Sequence, residues 1–114
     1  MSKTVSREEL KARLGRGDLP VLVEALPLKY YRHSHLPGAL HLPHDQVQER
    51  AGQLFVSKDE PIVVYCANER CQNSHQAAEE LERLGYTDVA VYAGGKEDWL
   101  SAGYPVERGR EIAA

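Results

Sequence analysis

Residues 62–66 are Ile62-Val63-Val64-Tyr65-Cys66, a short β-branched and aromatic run that ends in a cysteine. Such a run is typical of a strand that is buried on both faces of a sheet. Residues 67–73 are polar and aperiodic, so they predict a loop. Ser74 is a good N-cap for a following helix, whose apolar stripe is Ala77, Ala78, Leu81 and Leu84. This strand–loop–helix unit predicts an α/β fold.

The same alternation extends in both directions from this unit. Further strands are predicted at residues 19–26, 39–42 and 89–92. Further helices are predicted at residues 6–15, where Ser6 and Glu9 fit a capping box, at 45–55 and at 97–102. A loop is predicted from Pro27 to Gly38. The order predicts a three-layer α/β fold in which a central, mostly parallel sheet carries helices on both faces.

Length and charge limit the classes of function. A chain of 114 residues fits a single domain over residues 1–114, with a core at about 5–107 and a short C-terminal tail. The net charge is −3 and the basic residues are scattered, which argues against nucleic acid or an anionic membrane as a partner. No apolar run approaches the roughly 20 residues of a membrane helix, and no signal peptide is evident. We therefore expect a soluble, cytoplasmic protein.

Cys66 is the candidate nucleophile. Ligands of open α/β sheets bind beyond the carboxyl ends of the strands, and Cys66 stands at such an end. The N-terminus of the next helix would face the thiol and lower its pKa. The alternative is that Cys66 is a small buried residue that ends a core strand.

Several motifs then make the chain recognisable. They are residues 62–66, Leu84-Gly85-Tyr86, Gly94-Gly95 with Trp99, Gly103-Tyr104-Pro105-Val106, and His35-Leu36-Pro37-Gly38-Ala39. Together they resemble the rhodanese-like domain family of single-domain sulfurtransferases. The resemblance implies that Cys66 takes sulfane sulfur from a small donor as a persulfide and passes it to a thiol, cyanide or protein acceptor. It implies no metal and no organic cofactor, and we expect a monomer or weak homodimer.

The resemblance places a substrate-binding loop directly after Cys66. Its residues are Ala67, Asn68, Glu69, Arg70, Cys71, Gln72 and Asn73. This loop is longer than usual in the family and has no glycine, so we expect Asn68 to adopt the positive φ that glycine would supply. Arg70 is its one cation, whereas Glu69 opposes anion binding and argues against thiosulfate as the donor. Gln72 stands where the phosphatase relatives of this fold need arginine, which argues against phosphoryl transfer.

The remaining candidates are auxiliary or structural. Ser74, His75 and Lys96 are the possible auxiliary residues, although a solvated histidine and an exposed lysine need no function. Structural support is expected from Glu24, His35, Gly38, Gly94, Gly95 and Trp99. Cys71 is either a passive loop residue or a second thiol, which would form a disulfide with Cys66 or accept its sulfur.

Two other functions and one metal site stay open. The first function is a non-enzymatic sulfur-carrier or interaction module. The second is an arsenate-reductase-like thiol redox protein that uses Cys66 and Cys71. A zinc site would combine these two cysteines with His75, but their spacing is not a standard finger pattern.

Overall fold

The computed structural model describes residues 3–109, which form five strands and five helices. The strands are β1 (Lys3–Thr4), β2 (Val21–Glu24), β3 (Leu40–His41), β4 (Ile62–Tyr65) and β5 (Val89–Tyr92). The helices are α1 (Arg7–Arg16), α2 (Leu28–His33), α3 (Val47–Leu54), α4 (Asn73–Arg83) and α5 (Gly95–Ser101). Within these residues no helix is long and apolar enough to cross a membrane.

All strand pairs in the sheet are parallel. The strand order is β1-β5-β4-β2-β3, so β4 is the central strand. Tyr65 at the end of β4 pairs with Glu24 of β2 on one side and with Tyr92 of β5 on the other. The predicted parallel sheet is confirmed, and the carboxyl ends of its three central strands lie at one edge.

Each face of the sheet carries its own apolar core, because side chains alternate along a strand. Ile62 and Val64 of β4 pack on the side of α3 and α4. Val63 and Tyr65 pack on the other side with Leu10 of α1 and Trp99 of α5. The predicted three-layer architecture is confirmed.

Three local predictions are wrong. Residues 28–33 form the short helix α2 rather than a loop, because Tyr31 turns inward and is fully buried. The edge strand β1 has no counterpart in the predicted strands. Ser74 is not an N-cap, since α4 begins at Asn73 and Ser74 lies inside its first turn. The capping box of Ser6 and Glu9 at the start of α1 is confirmed.

The chain after Val106 is tied to the domain by its backbone. Glu107 and His35 exchange two backbone hydrogen bonds, and the Gly109 N–H donates to the Arg32 carbonyl. The rest of the predicted tail, residues 110–114, lies outside the described residues.

Candidate active site

Cys66 directly follows the central strand and is only 1% exposed. Its carbonyl oxygen accepts a hydrogen bond from the Lys96 N–H at 2.9 Å, and the Ala67 carbonyl accepts one from the Glu97 N–H at 2.8 Å. These carbonyls thus satisfy N–H groups in the first turn of α5, which a helix leaves without intrahelical partners. The backbone around the cysteine is therefore held by α5 as well as by β4.

Residues 67–72 form the loop over Cys66, and it is shaped by Asn68. The Asn68 side-chain oxygen accepts from the Arg70 N–H at 3.0 Å, and its carbonyl accepts from the Cys71 N–H at 3.1 Å. The predicted positive φ at Asn68 is wrong, because within residues 3–109 only glycines have positive φ. An Asx turn reverses the chain instead.

The Cys66 thiol lies between Cys71 and Ser74. Its Sγ lies 3.4 Å from the Cys71 carbonyl oxygen, to which the thiol donates, and 3.3 Å from Ser74 Oγ. Burial, and after it an interaction with the Cys71 side chain, raise the pKa of Cys66 to about 11, against the opposing effect of the Ser74 hydroxyl and backbone N–H. The pKa that the sequence predicts to fall is therefore raised, since loss of water outweighs the donors at the start of α4.

This pKa predicts a distinctive pH dependence of thiol reactivity. In a Cys71→Ser variant, alkylation of Cys66 by iodoacetamide should be slow at neutral pH and rise about tenfold per pH unit above it. Because the interaction with the Cys71 side chain is lost, the rate should level off below the wild-type pKa of about 11. Mass spectrometry of samples quenched at set times measures the rate. A rate that is already at its plateau near pH 7 would contradict the protonated resting thiol.

Ser74 and His75 differ in their relation to the thiol. Ser74 is 1% exposed and lies against Sγ, where its hydroxyl can donate to a thiolate. His75 is half-buried in the first turn of α4, and the hydrogen bonds of Cys66 go to Cys71 and Ser74 rather than to it. The structure therefore brings Ser74, but not His75, into hydrogen-bonding contact with the candidate nucleophile.

Lys96 lies in a buried ion pair beneath the loop. Its ammonium donates to the Glu24 carboxylate at 3.0 Å and to the Tyr30 carbonyl at 2.9 Å. The other carboxylate oxygen of Glu24 accepts from the Tyr65 hydroxyl at 2.7 Å. Burial raises the pKa of Glu24, whereas the charge of Lys96 opposes that shift. Lys96 is only 8% exposed, so it is not the exposed lysine that the sequence suggests.

Tyr65 is the residue of this network that sequence reasoning missed. Its hydroxyl also accepts a hydrogen bond from the Leu36 N–H at 3.0 Å, which fixes the chain beside His35. A buried phenol needs such polar partners. The signal in the sequence was an acidic residue near the end of one predicted strand and a tyrosine at the end of the next.

The other predicted support residues brace the surroundings of the site. The His35 ring stacks on Tyr31 at 3.9 Å, and the Gly38 N–H donates to the Glu107 carboxylate at 3.0 Å. Trp99 is buried and donates from Nε1 to the Pro105 carbonyl at 2.8 Å. These contacts join loops on the α5 side of the sheet, and none of them reaches the sulfur.

The glycine pair before and at the start of α5 permits close packing. Gly95 has a φ of +70°, and a Cβ placed on it would lie 2.6 Å from the Cys66 carbonyl oxygen. A Cβ at Gly94 would lie 2.8 Å from an Asp98 carboxylate oxygen. Gly95 therefore lets the backbone of α5 approach the backbone of Cys66.

Two cavities flank the loop, and Cys66 lines neither. One, of about 610 Å³, is bordered by Asn68 and Glu69, and all of its charged lining residues except Arg7 are acidic. The other, of about 290 Å³, is bordered by Ala67 and Lys96 and has an apolar lining. The exposed Arg70 is the cation on the loop itself.

Possible metal ligands are not grouped. Among residues 3–109, no set of three or more His, Cys, Asp or Glu side chains is placed to hold a metal ion. The combination of Cys66, Cys71 and His75 is thus not assembled as a zinc site in the described structure.

Comparison with known proteins gives a consistent family assignment. The family model described as Rhodanese-like domain matches residues 6–102. The chain is 31% identical over 108 residues to the thiosulfate sulfurtransferase GlpE of Pseudomonas savastanoi pv. phaseolicola, with 92% of each chain covered. It is also similar to a solved rhodanese with anions from E. coli, with a TM-score of 0.67, 31% identity, and coverage of 80% of this chain and 100% of that one.

A third similarity places the same domain in a larger protein. The HTH-type transcriptional regulator Rv0324 of Mycobacterium tuberculosis is 30% identical over 108 residues. These cover 95% of this chain but 46% of the regulator. The chain thus spans about half the length of that relative.

Proposed function

Because the chain belongs to the rhodanese-like domain family, we propose that it is a sulfurtransferase that carries sulfane sulfur on Cys66. The observation that carries the proposal is the position of the Cys66 thiol at the carboxyl end of the central strand, under a loop and against Ser74 at the start of α4. A similar protein that covers nearly all of this chain is named thiosulfate sulfurtransferase, which supports the reaction class.

The proposed reaction has two displacements at sulfur. The Cys66 thiolate attacks the outer sulfur of a donor such as thiosulfate, the donor S–S bond breaks and, for thiosulfate, sulfite leaves. An acceptor thiolate or cyanide then attacks the terminal sulfur of the persulfide and regenerates the Cys66 thiolate. The hydroxyl and backbone N–H of Ser74 stabilise negative charge on sulfur in both steps, as their effect on the Cys66 pKa indicates.

The resting thiol has to be activated before the first step. With a pKa of about 11, roughly one thiol in 10⁴ is ionised at neutral pH. The Cys71 carbonyl, which faces the sulfur at 3.4 Å, would repel a thiolate. We propose that donor binding turns this carbonyl away from the sulfur. This movement makes room for the donor and lowers the pKa of Cys66 at the same time.

The acidic surroundings bear on the choice of donor. Glu69 is exposed on the loop, and the larger cavity beside it is also lined by Glu97 and Asp98. Arg7 lines the same cavity, but it forms an ion pair with Asp98 at 2.8 Å. A strongly anionic donor therefore meets little uncompensated positive charge here, which favours donors of lower charge than thiosulfate.

Mass spectrometry of the loaded protein tests the proposal. After treatment with thiosulfate or an alkyl persulfide, the Cys71→Ser variant should gain one sulfur atom on Cys66, and Cys66→Ser should gain none. Transfer to cyanide by Cys66→Ser should fall to below about a thousandth of the wild-type rate. Full activity of Cys66→Ser would contradict the assignment of Cys66 as the nucleophile. Loading without transfer to any small acceptor would instead identify a carrier.

A further inference from the structure

Cys71 is the polar group nearest to the candidate nucleophile besides Ser74. The turn at Asn68 folds the chain back, so that the Cys71 carbonyl touches Cys66 Sγ at 3.4 Å. The Cys71 side chain is bonded to the Cα atom next to that carbonyl. It also interacts with the Cys66 side chain, since its presence raises the pKa of Cys66. Both thiols are free.

The two cysteines differ in exposure. Cys66 is 1% exposed, whereas Cys71 is half-buried at the outer end of the loop. Cys71 precedes α4 and lies in the loop that we propose moves when the donor binds. Cys71 is therefore placed to reach Cys66 from the solvent side.

We propose that Cys71 resolves the Cys66 persulfide and releases sulfide, an activity that rests on the sulfurtransferase function proposed above. The Cys71 thiolate attacks Sγ of Cys66, and a Cys66–Cys71 disulfide forms as the bond to the terminal sulfur breaks. That sulfur leaves as hydrosulfide. The sulfane sulfur is reduced by two electrons, and the two cysteine sulfurs together are oxidised by two. Two molecules of an external thiol, the second co-reactant, then reduce the disulfide and restore both protein thiols, and they leave as an external disulfide.

The site favours attack on the inner sulfur over attack on the terminal one. With the loop in its resting position, attack on the terminal sulfur would expel the Cys66 thiolate where its pKa is raised, so it is a poorer leaving group there than in transfer to an external acceptor, which proceeds after the loop has moved. Attack on Sγ expels hydrosulfide, the anion of a stronger acid. Sγ is also the atom that the Cys71 carbonyl oxygen contacts, so the backbone of Cys71 already lies against the sulfur to be attacked.

A single-turnover experiment tests the inference. Wild type, Cys71→Ser and Cys71→Ala are loaded with thiosulfate, or with an alkyl persulfide if thiosulfate does not load Cys66, and excess donor is removed. Released sulfide is trapped with a fluorescent bimane reagent, and the protein is quenched in acid and mapped by mass spectrometry. Equal thermal unfolding midpoints would show that the variants fold like wild type.

Wild type should release one sulfide per loaded Cys66. Its mass should then be two hydrogens lower than that of the unloaded, reduced protein, because Cys66 and Cys71 are linked by a disulfide. Both variants should keep the persulfide at least about tenfold longer, because an intramolecular attack is lost. Equal persulfide lifetimes in wild type and variants would overturn the role of Cys71 while leaving the sulfurtransferase proposal intact. Sulfur found on Cys71 in wild type would overturn it in favour of a relay. Failure of both variants to load at Cys66 would overturn the proposed function itself.

Discussion

Gly95→Ala should reduce sulfur transfer by about 10²-fold, because it forces apart two backbone segments that position Cys66. A Cβ at Gly95 would lie 2.6 Å from the Cys66 carbonyl oxygen and 2.9 Å from the Asn68 nitrogen. Both are backbone atoms, so no side chain can rotate away to make room. The cysteine and its loop must shift, and the hydrogen bond from the Lys96 N–H to the Cys66 carbonyl is expected to weaken. Transfer rates to cyanide measure the effect.

Gly103→Ala is the matched control for this prediction. Gly103 has a φ of +77°, close to the +70° of Gly95, but a Cβ there would meet nothing within 4 Å. Both substitutions carry the strain of a positive φ, on the order of 1–3 kcal/mol, whereas only the first also produces a collision. Gly103→Ala should therefore lose stability but keep near-normal transfer. Equal activity of the two variants would show that close approach at Gly95 does not matter for the site.

The arrangement of the sheet could be predicted because the apolar composition of its central strands indicates that both of their faces are buried. Residues 62–65 and 89–92 are apolar without interruption, as strands covered on both faces must be. The two-residue strand β1 has no such signal, since Lys3 and Thr4 lie exposed at the sheet edge. Helix α2 spans only six residues. Its one buried residue is Tyr31, so it has no periodic apolar stripe that would predict a helix.

The position of the candidate nucleophile could be predicted, but its protonation could not. Cys66 at the end of a strand follows from local sequence. The sign of its pKa shift depends first on how deeply the sulfur is buried and then on the Cys71 side chain. The turn at Asn68 folds Cys71 back towards Cys66, and sequence reasoning assigned a different conformation to Asn68. Burial of the sulfur thus reverses an electrostatic prediction that rests on the helix alone.

The environment of Lys96 shows the same limit at long range. Its partner Glu24 is 72 positions away in the chain. Lysine is rarely buried unless it is paired, so without knowledge of the partner an exposed position was the natural expectation. The pairing follows only from the parallel order of the strands, which brings the end of β2 beside the end of β4 and under the start of α5.

Lys96→Met should lower the free energy of unfolding by about 3–5 kcal/mol at neutral pH, since it leaves a buried carboxylate without its cation. Glu24 is fully buried, and its pKa is already raised by burial against the opposing charge of Lys96. Removal of that charge raises the pKa further. Folding then favours the protonated carboxyl, so stability declines as pH rises above the ordinary carboxyl range towards the raised pKa. Urea unfolding at about pH 5 and pH 8 should show the larger loss at the higher pH.

Two comparisons distinguish the effect of the unpaired Glu24 charge on stability from the effect of losing a lysine side chain. Lys3 also pairs with a carboxylate, that of Asp88, but their side chains are 65% and 41% exposed, so Lys3→Met should leave the free energy of unfolding nearly unchanged. The double variant Glu24→Gln with Lys96→Met should be more stable than Lys96→Met alone, because a neutral amide can still accept from Tyr65 and carries no buried charge. If the double variant is as unstable as the single one and neither loss depends on pH, the stability of this region rests on the packing of the Lys96 side chain rather than on its charge.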